Sequence, residues 1–184
     1  MQVHQLRRHQ KFSSAEIKNV DVRLGVVSGD RFMLRFKVDG CRQLFIPKEG
    51  PCDRTDNLWQ STCFELFVHR GLGRYTEFNF SPSRAWAAYD FSSYRVKSGE
   101  HSPNRVPEIL AESGNATFAC TVFLPRAELM GAENLAISAV LEEGKGRLSY
   151  WALTHGKHEP DFHDPTSFVL PPAALPIASS GEQT

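Results

Sequence analysis

Hydrophobic and polar residues alternate with a period of two along most of this chain. Over Arg31–Val38 the apolar set is Phe32, Leu34, Phe36 and Val38, while Arg31, Arg35 and Lys37 point the other way. Phe64, Leu66 and Val68 alternate with Cys63, Glu65 and Phe67, and Thr76, Phe78 and Phe80 alternate with Tyr75, Glu77 and Asn79. Phe118, Cys120, Val122 and Leu124 share a face, as do Leu135, Ile137, Ala139 and Leu141. Successive strand side chains point to opposite sides, so this pattern predicts half-buried antiparallel strands. Turn signals separate them at Ser28-Gly29-Asp30, Asp39-Gly40, Arg70-Gly71-Leu72-Gly73, Ser81-Pro82-Ser83 and Gly144-Lys145-Gly146. Many short strands without a helical period between them predict an all-β fold, an antiparallel two-sheet β-sandwich with less than about a tenth helix. One turn over Pro125–Gly131 is the main helical candidate. Phe32, Leu34, Phe36, Phe64, Leu66, Phe78, Phe80, Phe118, Val122, Leu135, Ile137 and Leu148 form the expected core.

Two stretches, Pro47–Gln60 and Ser92–Pro107, are rich in Pro, Gly, Ser, Asp and Asn and read as long loops, the segments that often carry function on a sandwich. The chain has 184 residues, enough for one well-buried core, so the expectation is one domain over 1–170 and a Pro/Ala/Ser-rich tail over 171–184. Lys plus Arg equal Asp plus Glu at 21 each, which leaves no basic excess for a nucleic acid. The polar start of the chain lacks the apolar stretch of a secretory signal, and no apolar run approaches ~20 residues. The expectation is therefore a soluble, cytoplasmic protein without a membrane partner. Cys41, Cys52, Cys63 and Cys120 are widely spaced, without a Cys-x-x-Cys pair, and read as reduced, mostly buried thiols.

The candidate chemistry lies on the polar side of the alternation. If Phe64, Leu66 and Val68 face the core, Glu65 faces away, as do Glu77 and Asn79 on the next strand. Over Arg147–Leu153, Leu148, Tyr150 and Ala152 are assigned to one side and Arg147, Ser149, Trp151 and Leu153 to the other. One sheet surface then presents Trp151, Glu65, Glu77 and Asn79, with Trp59 arriving from the preceding loop. A sugar offers an apolar C–H face that packs on an aromatic ring and hydroxyls that want fixed polar partners. Trp86 shares a face with Ala88 and reads as core; Trp59, flanked by Asp56-Asn57 and Gln60, reads as exposed; Trp151 is open to either reading.

The run Leu58-Trp59-Gln60-Ser61-Thr62-Cys63-Phe64-Glu65-Leu66-Phe67, followed by Tyr75-Thr76-Glu77-Phe78-Asn79-Phe80-Ser81-Pro82, resembles the DOMON-like domains related to family 9 carbohydrate-binding modules. Ser149-Tyr150-Trp151-Ala152-Leu153-Thr154-His155 with Pro160-Asp161-Phe162-His163 resembles the closing signature of their bacterial stand-alone branch. The resemblance spans Val20 to Leu170 and implies a jelly-roll sandwich that binds a saccharide, or in other DOMON relatives a haem. It implies a sugar site in which Trp59 and Glu65 stand at the family's spacing, Trp151 or Trp86 supplies a second ring, and Asn79, Arg84 and Arg95 complete the polar set. It also implies structural calcium, for which Asp53, Asp56 and Asp90 are the available carboxylates, although their spacing fits no strong calcium pattern.

Rival readings come from other classes. Glu65 and Glu77, as cross-strand neighbours, would give a glycosidase its carboxyl pair, which in a retaining enzyme stands about 5–5.5 Å apart. Paired surface carboxylates are common, so no catalytic residue is assigned. His155, His158, Asp161, His163 and Asp164 have zinc-ligand chemistry, but a hydrogen-bonded loop network explains them better, and no metal site is assigned. His155, Asp161 and His163 stand instead as candidates to line the ligand pocket. A haem needs axial ligands such as Met33, and there is no Cys-x-x-Cys-His motif. The remaining alternative is a protein-interaction module without a small ligand.

Overall fold

The computed structural model describes residues 3–144 and 146–172. The strands are β1 (Val3–Arg8), β2 (Asn19–Ser28), β3 (Arg31–Asp39), β4 (Cys63–His69), β5 (Tyr75–Phe80), β6 (Trp86–Ser93), β7 (Val96–Glu100), β8 (Glu108–Ser113), β9 (Thr117–Pro125), β10 (Asn134–Glu143) and β11 (Arg147–Ala152). Strand content is 50% and helix content 7%, the latter in 3-10 turns that include Arg126–Leu129 within the predicted Pro125–Gly131 turn. The lateral order is β7-β6-β5-β4-β10-β11-β1-β2-β3-β9-β8, with every pairing between these strands antiparallel. β1 joins the two sheets. Val3–Leu6 pair with β2, whereas Arg7 and Arg8 pair with Ala152 and Trp151 of β11. The first sheet is β8-β9-β3-β2-β1 and the second β7-β6-β5-β4-β10-β11, closed by the end of β1.

Apolar alternation decides which faces meet. Phe36 of β3, Phe118 of β9 and Phe64 of β4 bring rings from both sheets into one stack, with centroids 4.6 Å apart for Phe36–Phe64 and 6.2 Å for Phe64–Phe118. The expected core residues are buried except Leu148, which is only half-buried. Leu148 belongs to a strand whose faces are the reverse of those expected. Ser149 and Trp151 turn inward and Leu148 and Tyr150 outward, because β11 pairs with β10 so that Trp151 lies opposite Ala139, whose small side chain faces the core.

The alternation does not mark out β1, β2, β7 or β8. β1, in the polar N-terminal segment, is held by its neighbours on both sides. β7 lies within the stretch Ser92–Pro107 read as loop, folded back on β6 through a two-residue turn at Tyr94-Arg95 in which Arg95 has a φ of 57°. The tail read over 171–184 lies outside the described residues beyond position 172. Among the described residues no helix is long and apolar enough to cross a membrane.

β4 and β5 are buried on both faces. Their inner side packs in the sandwich, and the segment Thr154–Leu170 shields part of their outer side. Between that segment and the sheet lies the cavity described next.

Candidate functional site

The outer face of the second sheet is organised in rows that run across the strands. One row places Tyr89, Glu77, Phe67 and Ala136 side by side on β6, β5, β4 and β10. The next places Ala87, Asn79, Glu65 and Ser138, and a third Cys63, Val140 and Tyr150. Glu65 therefore lies opposite Asn79, and Glu77 opposite Phe67. The two carboxylates are cross-strand neighbours on the diagonal, not directly opposed. Around them opens a cavity of about 720 Å³ whose lining includes Trp59, Glu65, Glu77, Tyr89, Arg95 and His163. That volume falls within the ~300–1,000 Å³ of small-ligand sites.

Trp59 reaches the cavity from the 3-10 turn Leu58–Gln60 and remains 49% exposed. Asn57 opens that turn in a left-handed conformation, φ 62°, which asparagine tolerates better than most residues. The turn is fastened at both ends. Tyr89 Oη donates to Asp56 Oδ1 at 2.5 Å, and Ser61 Oγ donates to Glu142 Oε2 at 2.7 Å.

Glu65 and Glu77 are 3% and 7% exposed. Glu65 Oε2 accepts from Ser138 Oγ at 2.7 Å, and Glu77 Oε1 accepts from Asn79 Nδ2 at 2.7 Å. Burial, then the charge of Glu77, push the Glu65 carboxyl up to about 8, against the opposing Ser138 hydrogen bond. Burial also raises Glu77, partly offset by the Asn79 hydrogen bond and by Arg95 and Lys97.

His163 stands beside Glu77. The Tyr75 hydroxyl accepts from the Arg95 backbone N–H at 3.1 Å and shares a hydrogen bond with His163 Nδ1 at 2.7 Å. His163 Nε2 faces Glu77 Oε2, 3.7 Å away. Burial, followed by the charge of Arg95, holds His163 down at about 4, so the neutral form prevails near pH 7.

Asp161 is a fastening point. It accepts from Arg95 Nη2 (2.9 Å), Tyr94 Oη (2.6 Å) and Lys157 Nζ (2.7 Å), tying the β6–β7 turn to the segment that carries His163.

The structure thus brings Trp59, Glu65, Glu77, Arg95 and His163 together and sets the other candidates apart. Asn79 and Asp161 act one step back, holding Glu77 and Arg95. Trp151 is buried in the sandwich at 4% exposure, because the small Ala139 opposite leaves room for the indole there, and its Nε1 donates to Ser149 Oγ. Trp86 also packs in the core and supplies no second ring. Arg84 contacts Glu49 away from the cavity, its position fixed by the turn after β5. His155 lies against His9 and hydrogen-bonds Arg7 O, outside the cavity lining.

Sequence reasoning missed Tyr89, Phe91, Lys97, Tyr150, Phe12 and Phe162, which also line the cavity. The alternation of Trp86 and Ala88 with Ala87, Tyr89 and Phe91 carried a signal for the first two. Tyr150 was lost with the inverted face of β11. Phe12, Lys97 and Phe162 depend on chain segments that meet only in the folded protein.

Among the described residues no group of three or more His, Cys, Asp or Glu side chains comes together as a metal site. Asp56 is engaged by Tyr89 and Arg54, and Asp90 by Thr76 and His101, so these two calcium candidates do not converge. Met33 lies on the outer face of the first sheet, opposite Gly25 and Phe123, and offers no haem ligand to the cavity.

No protein-family model matches the chain, and no curated protein matches it. Among solved structures, a protein of Bacteroides uniformis described as a candidate carbohydrate-binding protein aligns with a TM-score of 0.63 at 14% identity, over 91% of this chain and 84% of its own. A family 9 carbohydrate-binding module of Caldicellulosiruptor kristjanssonii, solved in complex with cellotriose, aligns with a TM-score of 0.48 at 7% identity, over 83% of this chain and 72% of its own. The likeness to the Bacteroides protein is one of fold, and the fold it shares with this chain is the antiparallel two-sheet β-sandwich.

Proposed function

We propose that this protein is a non-catalytic saccharide-binding module whose site is the cavity on the outer face of the second sheet. The observation that carries the reading is an aromatic-lined cavity of sugar-compatible size with fixed polar groups at its floor and a half-exposed Trp59 at its side. A pyranose C–H face can pack on the indole, and its hydroxyls can reach Glu65, Glu77 and Arg95. The motif resemblance to DOMON-like relatives of family 9 modules agrees with this reading.

A glycan array followed by calorimetric titration of the best ligand tests it, with wild type compared against Trp59→Ala. Affinity should lie in the micromolar to millimolar range. The variant should bind about tenfold more weakly, with little change in melting temperature, since Trp59 is half exposed. Equal binding by wild type and variant would remove the site from this cavity. No glycan binding at all would leave the interaction-module reading in its place.

A further inference from the structure

Among the described residues no Lys or Arg side chain forms an ion pair with Glu65 or Glu77. Glu65 Oε2 accepts from Ser138, and no described residue hydrogen-bonds its Oε1. Glu77 is held by a neutral amide and faces a neutral imidazole. The cations that line the same cavity act on Glu77 only through space and make their contacts elsewhere. Arg95 is committed to Asp161, and Lys97 places its ammonium 4.0 Å from the centroid of the Tyr89 ring.

Two buried carboxyls with no cation in contact are costly, and the cost is relieved either by a proton or by a cation brought from outside. At neutral pH the free protein takes the first course, since Glu65 retains its proton. The walls suit the second. Trp59 and Tyr150 also line the cavity, and aromatic rings attract an organic cation as well as a sugar's C–H surface. A neutral sugar would use this floor only as a hydrogen-bonding partner. An amine-bearing sugar would use it as an ion pair as well.

We propose that the cavity selects a saccharide carrying a free amino group, the ammonium docking between Glu65 and Glu77 and the sugar ring packing on Trp59. This rests on the saccharide reading above and narrows it to a ligand class. Binding then displaces the proton of Glu65, which leaves to solvent as the ammonium takes its place.

The test uses matched sets of glycans: glucosamine and galactosamine and their oligomers, the N-acetylated counterparts, and the counterparts with hydroxyl at the same position. N-acetylation keeps the nitrogen and removes the charge. The free-amine members should bind at least about tenfold more tightly than both counterparts, the scale of a charged hydrogen bond made in a buried site. That preference should fall to about twofold or less in Glu65→Gln and in Glu77→Gln, each of which preserves side-chain volume. Titration of the wild type in two buffers of different ionisation enthalpy should reveal proton release with the amine ligands alone. Free-amine glycans that bind no better than their counterparts, or a preference that survives in both Gln variants, would overturn the inference while leaving the saccharide reading intact. Failure of every set would overturn the saccharide reading itself. The comparison among ligands needs only wild-type protein, so it stands even if a variant does not fold.

Discussion

Glu65 and His163 sit in the same cavity and titrate in opposite senses. The folded pKa of Glu65, raised from 4.5 to about 8, means that the folded protein holds a proton the unfolded chain gives up. Its contribution is full below about pH 4.5 and is lost as pH rises toward 8. His163, held at about 4 against an ordinary 6.5, does the reverse, and its contribution is lost as pH falls from 6.5 toward 4. Glu65→Gln should remove the alkaline loss and His163→Gln should reduce the acidic one. At this chain length each kcal/mol moves the melting temperature by roughly 2–4 °C, so the differences should reach several degrees. Melting curves of the three proteins from pH 4 to 9 check this; curves that run parallel throughout would show that neither group is perturbed. The outward orientation of Glu65 and Glu77 was legible in the sequence because Phe64, Leu66, Phe78 and Phe80 fill the opposite parity of their strands. The parity of β11 was not. Leu148, Tyr150 and Trp151 are large apolar side chains on both faces, and only the register against β10, which sets Trp151 across from Ala139, decides between them.

At the level of elements, the site is assembled by two segments that the strands merely support. Asp161 links the β6–β7 turn to the chain after β11 through Arg95, Tyr94 and Lys157. Burial alone would raise its pKa, yet these hydrogen bonds and the Arg95 charge pull it down to about 2. A carboxylate with a depressed pKa contributes stability above its ordinary 3.8 that is lost as pH falls toward 2. Asp161→Asn keeps the shape and removes the charge. It should speed amide hydrogen exchange in residues 93–97 and 155–168, with slow exchange retained in β4 and β10, and weaken binding of any cavity ligand several-fold. Unchanged exchange in both segments would show that the contacts of Asp161 do not hold them. Sequence pattern finds strands well because the period belongs to each strand alone. It does not find β7, or the approach of Tyr94 to Asp161, because these depend on where a turn delivers the chain and on partners more than sixty positions away.

For the whole molecule, the core and the cavity occupy opposite faces of the same strands. Phe64 points into the sandwich against Phe36 and Phe118, and its neighbour Glu65 points into the cavity. Phe64→Ala should therefore cost about 3–5 kcal/mol of stability and leave the affinity of the folded protein within about twofold. Denaturant unfolding and titration, performed on the same preparation, separate the two effects; a loss of less than about 1 kcal/mol would mean that the ring is not the core element described. β1 has a consequence of another kind. Its Arg7 and Arg8 find their partners in β11, almost a whole chain away. During synthesis β1 must wait for β11 before the second sheet can be completed. Until then the flank of β10 that β11 will cover presents unpaired backbone groups to every other nascent chain nearby. Slow translation would prolong that interval, and crowding of polysomes would make it a hazard. Such a protein has reason to be made quickly, or in the company of a chaperone that covers an open sheet edge.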